Sequence, residues 1–470
     1  MERQTGPVAG AELLVELDRS SELPLHVQIE RSLRERIRAG ALTAEAHMPS
    51  TRTLASTLGV SRGVVTEAYG QLAAEGYLTT RQGAPVRVAR VVHGVERPPA
   101  GSLRHHYAYD FHPGLPDLAG FPREAWLRSL RTSLRASPLD ALGYGDPRGA
   151  PPLRETLAEH LRRVRGCDAD PEHMVLCTGF MQGFSLLCRT LRGRGVERIG
   201  LEEPGWHVHR LIVEQAGLQT VPIPVDDDGI VVDALAAANL AAVLVTPANQ
   251  FPTGAVLSPA RRAALIEWAG EENLIVEDDY DSEYRYDRVA VGALQGLAPE
   301  RIAQIGSLSK RLAPGLRLGW MLLPSWLTWE VTAAKTIEDG GSEVIGQLAL
   351  RDFIAEGELD RHIRRMRLSY RARREALLAA LARWLPQARV QSRGAAGLFV
   401  LVGLPGGTDE GAVVHAAHAR GVGVEGLSLH RWAATGEPGL LLGFASLAEP
   451  AIEQGIRLLA QALAEVSSGG

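Results

Sequence analysis

The sequence predicts an α/β protein in two parts, and three observations lead to that class. Short apolar runs at 174–177, 198–201, 220–223, 242–246, 274–277 and 302–305 alternate with helical stretches. Such alternation argues for a mostly parallel sheet with helices on both faces. Ahead of it, residues 22–90 hold capped helical segments and none of this alternation. Between the two, residues 91–109 include Pro98-Pro99-Ala100-Gly101-Ser102 and lack apolar periodicity, as an extended spacer would. With 470 residues, 45% apolar and 22% charged, the chain has ample material for two or three globular domains.

The first part reads as a winged helix-turn-helix. Val27, Ile29, Leu33 and Ile37 recur near helical spacing, and Gly40 ends that run. Ser50 stands as a cap for a short helix ending at Gly59, and Ser61 for a third that begins at Arg62. Two short helices joined through Leu58-Gly59-Val60 make the helix-turn-helix, and two strands around Gly83 make the wing. The net charge of −5 gives no global pull toward nucleic acid, so any such binding must be local. From Glu22 to Arg90, nine Arg stand against six Glu. Arg62, followed by Val64 and Thr66, lies on the helix that would meet base edges, and Ser50 and Arg52 lie where phosphate contacts usually arise. A solvated Arg face on an accessory domain would show a similar balance.

In the second part, the stretch Gly306-Ser307-Leu308-Ser309-Lys310-Arg311 stands out against composition. Only two lysines occur, Lys310 and Lys335, while the other 48 of the 50 basic residues are arginine. A guanidinium stays protonated and delocalised, so it cannot replace a primary amine in forming an imine with an aldehyde. Lys310 is therefore a candidate Schiff-base lysine. Ser307, Ser309 and Arg317 beside it offer hydroxyls and a planar fork for a phosphate. An aldehyde that carries a phosphate is pyridoxal 5′-phosphate (PLP).

Other polar segments also follow predicted strands, where ligands of such sheets bind. Thr178-Gly179-Phe180-Met181 opens a helix whose backbone N–H groups suit a phosphate, although strand-to-helix glycine turns are common. Trp206 follows a strand and either stacks on a ring or packs in the core. Asn249, one of three asparagines, stands in a polar loop after the run 242–246, where its amide suits a hydrogen bond to a ligand. Asp278 ends a strand where a carboxylate pairs with a protonated pyridine nitrogen, and Tyr280 points to the same side. Adjacent acids such as Asp278, Asp279 and Asp281 also occur in solvated turns and metal sites, but no histidine lies near them in sequence. Three cysteines, Cys167, Cys177 and Cys188, read as buried thiols.

Residues 22–90 resemble the GntR-type winged helix, through Pro24-Leu25, Pro49-Ser50-Thr51-Arg52, Ser61-Arg62 and Gly83. Val64 stands where that family often carries Thr. Residues 110–465 resemble the fold-type I, class I/II aminotransferases, with a smaller C-terminal α+β domain expected over about 357–465. That resemblance implies Lys310 as the Schiff-base lysine, Asp278 and Tyr280 as partners of the ring nitrogen and oxygen, and Trp206 as the stacking aromatic. It implies Ser307, Ser309, Arg317 and the backbone at Phe180 and Met181 as phosphate ligands. It also makes Tyr144 a residue lent to a neighbouring subunit, hence a homodimer.

Both halves in this order resemble the MocR/GabR family of bacterial regulators. The resemblance implies a head-to-tail dimer that binds an operator in double-stranded DNA and senses PLP or its adduct with an amino compound. The alternative is a working aminotransferase with an accessory N-terminal domain. Leu441 aligns where the family often places a carboxylate-gripping Arg, with Arg210, Arg393 and Arg431 as substitutes. No metal is expected. The absence of a signal-like start and of any bilayer-length apolar run leads to an expected cytoplasmic location.

Overall fold

The computed structural model describes residues 15, 17–80, 84–89, 107–286, 291–391, 396–433 and 436–468. Contacts divide the chain into two compact units, Met1–His105 and His106–Gly470.

The first unit holds three helices, Leu25–Arg38 (α1), Thr51–Leu58 (α2) and Arg62–Ala74 (α3), and a two-stranded antiparallel ribbon, Leu78–Thr79 (β1) with Arg87–Val88 (β2). Ile29, Leu33, Leu54, Val65 and Leu72 form its core. The Ser50 hydroxyl accepts from the Thr53 N–H (3.1 Å) and opens α2, which Gly59 closes at φ 63°. The Ser61 hydroxyl accepts from the Val64 N–H (3.5 Å) and opens α3. Arg34 donates twice to Glu75, both at 2.8 Å, and so ties α1 to the end of α3. Gly83 of the wing lies outside the described residues, as do residues 91–106 of the expected spacer.

The second unit begins with Tyr109–Asp110 (β3), so the last residue assigned to the spacer already sits in a strand. Helices Arg123–Ala136 (α4) and Pro151–Arg165 (α5) follow. The large sheet contains Met174–Cys177 (β4), Arg198–Glu203 (β5), Gln219–Asp226 (β6), Gly229–Ile230 (β7), Ala242–Val245 (β8), Leu274–Asp279 (β9), Ile302–Ser307 (β10) and Gly319–Leu322 (β11). Their spatial order is β4-β11-β10-β9-β8-β5-β6-β7. Crossover helices Phe180–Gly193 (α6), His207–Gln215 (α7), Val232–Ala237 (α8) and Pro259–Ala269 (α9) cover it. The inner strands are parallel, but β11 runs antiparallel to both β10 and β4. Too few residues separate β10 from β11 for a helical crossover, so the chain must turn straight back.

Helices Ser325–Asp339 (α10) and Ile345–Ala355 (α11) lead into the long Glu358–Trp384 (α12). Beyond it lie Arg389–Val390 (β12), Phe399–Gly403 (β13), Glu410–Ala419 (α13), Val422–Gly423 (β14), Glu425–Gly426 (β15), Gly439–Gly443 (β16) and Glu449–Ser468 (α14). A small antiparallel sheet runs β12-β13-β16-β15, while β14 pairs with β3. Cys167, Cys177 and Cys188 are buried and unpaired. Among the described residues no helix is long and apolar enough to cross a membrane.

The acidic end of β9 is no solvated turn, because all six of its residues are buried. Strand alternation turns Glu277 and Asp279 to one side and Asp278 and Tyr280 to the other. Glu277 accepts the N–H groups of Leu294 (2.9 Å) and Gln295 (3.0 Å). Asp279 accepts two bonds from Arg165, both at 3.0 Å, and one from Arg311 at 3.2 Å. Burial opposes ionisation of Asp279, yet the two guanidiniums overcome it and hold the carboxyl down at about 2. Arg311 also donates to Glu283 (2.5 Å) and to the Ser307 carbonyl (2.8 Å). This network pins the segment that carries Lys310 to the end of β9.

Removing the charge should strand two buried cations. Asp279→Asn is expected to cost about 3–5 kcal/mol in urea unfolding of the second unit. Its effect should persist at high salt, since a buried network is poorly screened.

Candidate functional site

A cavity of about 270 Å³ opens beyond the carboxyl ends of β9 and β10. Lys310, Asp278, Tyr280, Trp206, Phe180, Met181, Ser307, Ser309 and Arg317 all line it, and so do Gly114, Thr246 and His209. The Lys310 Nζ donates to the Gly114 carbonyl at 2.5 Å. A Cβ on Gly114, where φ is +83°, would lie 2.7 Å from that nitrogen, so only glycine leaves the amine its place. Burial pushes the amine below the ordinary 10.5 of a lysine, against the pull of Asp281 and Asp278. The chain's other lysine has a different fate. Lys335 is buried with its three donors on Asp339 and Ser342, at 2.7–2.9 Å.

Asp278 faces the cavity with its carboxyl pushed well up, by burial first and by Asp279 second. His209 Nε2 lies 3.5 Å from it and has no hydrogen-bond partner. Burial drives His209 down to about 3, so the ring is neutral. Among the described residues no hydrogen bond reaches Asp278, so two polar groups at the cavity floor face each other 3.5 Å apart. The Tyr280 hydroxyl donates to the Asn249 carbonyl (2.7 Å) and accepts from the Asn249 amide (3.1 Å). That amide also donates to Asp281 (2.9 Å). Asn249 is therefore buried behind Tyr280 and outside the cavity lining. Trp206, half-buried, stands edge-on to His209 at 5.1 Å between centroids.

At the other end, Gly179 with φ +113° admits the chain to α6, whose first residues are Phe180 and Met181. Arg317 lies over this turn, with its guanidinium 3.6–3.9 Å from where a Gly179 Cβ would be. It has no side-chain partner among the described residues, in a chain whose arginines are mostly paired. A helix N-terminus, two serine hydroxyls and an uncommitted guanidinium make an anion cradle. Tyr144 is not part of it. That side chain is fully exposed and lines a separate cavity with Asp140, Gly341 and Arg351.

The third wall comes from the small sheet and the loop after β8: Leu398, Phe399, Glu425 and Phe251. Sequence reading assigned none of these four a role: Leu398, Phe399 and Glu425 lie in or beside small-sheet strands that gave only a packing signal, and Phe251 lies in a loop. His209 and Gly114 were missed as well, being a helix residue and a turn residue that only tertiary contact brings to the floor. Leu441, in β16, is buried in a cluster with Phe399, Leu401 and Leu427. Arg210 instead stacks on Trp432 at 5.0 Å, Arg431 is likewise absent from the cavity lining, and Arg393 lies outside the described residues.

In the first unit, Ser50, Arg52, Ser61, Arg62 and Thr66 are exposed, and Val64 is half-buried. The serines hold helix starts, and the Thr66 hydroxyl donates to the Arg62 carbonyl (2.9 Å). Arg62 Nε donates to the Thr51 hydroxyl (3.3 Å), so the two helices of the motif are linked at the base of α3. Arg52 carries its charge without a partner among the described residues.

A three-helix winged unit and a sheet with a lysine cavity define a DNA reader joined to an aminotransferase-like body. Residues 25–88 match the gntR family of bacterial regulatory proteins, and residues 116–420 match the aminotransferase class I and II family. The probable rhizopine catabolism regulatory protein MocR of Rhizobium meliloti is 33% identical, over 97% of each chain. The pyridoxine biosynthesis transcriptional regulator PdxR of Corynebacterium glutamicum is 33% identical, over 93% of this chain and 95% of its own. Kynurenine aminotransferase of Pyrococcus horikoshii, solved in complex with PMP, superposes with a TM-score of 0.69 at 28% identity, over 76% of this chain and 90% of its own. The chain belongs to the MocR/GabR family, DNA-binding transcriptional regulators with an aminotransferase-like domain.

Reaction with a small aldehyde followed by borohydride should label Lys310 and spare Lys335, read by peptide mass spectrometry. Because burial disfavours the cation, the amine becomes available at lower pH than an ordinary lysine. The labelling rate should therefore rise through a midpoint below 10.5.

Proposed function

We propose that this regulator binds PLP in the Lys310 cavity and that the state of the cavity controls its hold on an operator. The observation that carries the reading is the Lys310 amine, held in place with its cation disfavoured by burial, between an acid floor and an anion cradle. PLP, when bound, supplies an aldehyde for the amine and a pyridine ring that acts as an electron sink. Asp278 has no protein donor and would hold a proton on the ring nitrogen, with His209 fixed behind it. Tyr280 would face the ring oxygen, steadied by Asn249, and Trp206 would cover one ring face. Ser307, Ser309, Arg317 and the start of α6 would grip the phosphate. Pyridoxine appears in the name of the similar regulator PdxR, and a PMP complex in that of the similar aminotransferase. Both support this reading.

We further propose residues 22–90 as the reader, 91–109 as its tether and 110–465 as the sensor, with a small subdomain from about 357. The sensor is a homodimer to which Tyr144, fully exposed in one chain, contributes across the interface. For the ligand to switch DNA binding it must favour one arrangement of the dimer over the other. A cytoplasmic location follows from a DNA target.

Two measurements check this. The purified protein reconstituted with PLP should show a visible absorption band that Lys310→Ala abolishes. No band in the wild-type protein would sink the cofactor reading while leaving the DNA reader. In fluorescence anisotropy on a selected operator, Arg52→Ala should lower affinity and flatten the salt dependence by about one counterion. Arg62→Ala should cost about 1–3 kcal/mol and relax sequence preference, as expected for a base contact.

A further inference from the structure

The third wall of the cavity carries information that the PLP ligands do not. In the small sheet, Leu441 pairs with Leu401 on one side and with Glu425 on the other. Residues paired across antiparallel strands present their side chains to the same face. Phe399, two residues from Leu401, shares that face and closes on Phe251, 5.0 Å away between ring centroids. The wall is thus a carboxylate set in an apolar surface: Phe251, Leu398, Phe399 and Glu425 reach the cavity, and Leu441 fills the space behind.

Glu425 Oε1 lies 2.6 Å from His430 Nε2, a contact in which a carboxylate accepts from the imidazole. His430 is buried, its Nδ1 has no hydrogen-bond partner, and its ring packs edge-on to Phe251 at 4.9 Å. The ring therefore orients Glu425 and supplies one hydrogen bond, which leaves lone pairs on the carboxylate open to the cavity. Among the described residues no guanidinium or ammonium lines this wall. Arg317 and Lys310 are committed to the opposite end and to the centre.

Resting on the PLP reading above, we infer that the effector is a primary amine without a carboxylate, bearing a second cationic nitrogen on a short methylene chain. One amine reaches the centre of the cavity beside Lys310, the methylenes lie against Phe251 and Phe399, and the far cation pairs with Glu425. A carboxylate in that position would meet Glu425 with like charge and Leu441 with no donor, which disfavours ordinary amino acids twice over. The ligand's own cation stands where a guanidinium at position 441 would otherwise be.

The test uses the full-length protein loaded with PLP, with isothermal titration calorimetry and the visible band as independent readouts. The probes are 1,4-diaminobutane, 1-butylamine, 4-aminobutanoate and L-alanine. The diamine is expected to bind at least about tenfold more tightly than butylamine, and both amines more tightly than the two amino acids. Glu425→Gln keeps the hydrogen bond from His430 but removes the charge. It should bring the diamine down to the level of butylamine while leaving butylamine itself within about twofold. Arg393→Ala should change none of this order. The inference falls if either amino acid binds as tightly as the diamine, or if Glu425→Gln keeps the diamine preference. It falls equally if Arg393→Ala abolishes tight amino acid binding. Absence of any visible band in the wild-type protein would instead bring down the PLP reading on which the inference rests, so the two failures are told apart.

Discussion

The second unit depends on one buried ion cluster, Asp279 with Arg165 and Arg311. Asp279 ends the central strand β9, Arg165 ends helix α5, and Arg311 directly follows Lys310. One carboxylate therefore ties the sheet, a covering helix and the lysine loop to a common point. Each guanidinium alone would be costly to bury, and the acid alone would be costlier still. Together, with the Val291 and Ser307 carbonyls accepting the remaining donors, they are satisfied. The cluster sits on the face of β9 opposite the cavity. Asp278 is thereby left outside the guanidinium cluster and faces the cavity instead.

The cavity is organised by sign. An anion cradle at the start of α6, an amine with an acid floor in the middle, and a carboxylate in an apolar wall at the far side follow one another. Such an arrangement selects a ligand by charge before it selects by shape. In a regulator this matters more than turnover does, because the output is a difference in binding free energy between two states of the protein. On the effector inferred above, selectivity at the Glu425 wall would set which small molecule supplies that difference.

How much of this was legible in the sequence depended on whether the signal was local. Lys310 was legible because the chain had replaced lysine by arginine almost everywhere else. Ser50, Ser61 and Gly59 were legible because caps act within three or four residues. Asp278 and Tyr280 followed from strand alternation once β9 was recognised. Asn249, expected to meet a ligand, stands behind Tyr280, since its amide is drawn to Asp281 by a fold that brings two loops together. Tyr144 lies apart from the cavity within one chain.

By itself the sequence determined the two-part organisation, the strand-and-helix alternation and the cap positions, and it singled out Lys310 among the basic residues. These follow from propensity, periodicity and composition, all of which act over a few residues. Only the tertiary structure decided that β11 turns back antiparallel, that three consecutive acids have three different tasks, and that Leu441 has a carboxylate rather than a cation beside it. Those outcomes come from pairings between residues far apart in the chain, where packing and the cost of burying charge choose among partners that sequence leaves equivalent.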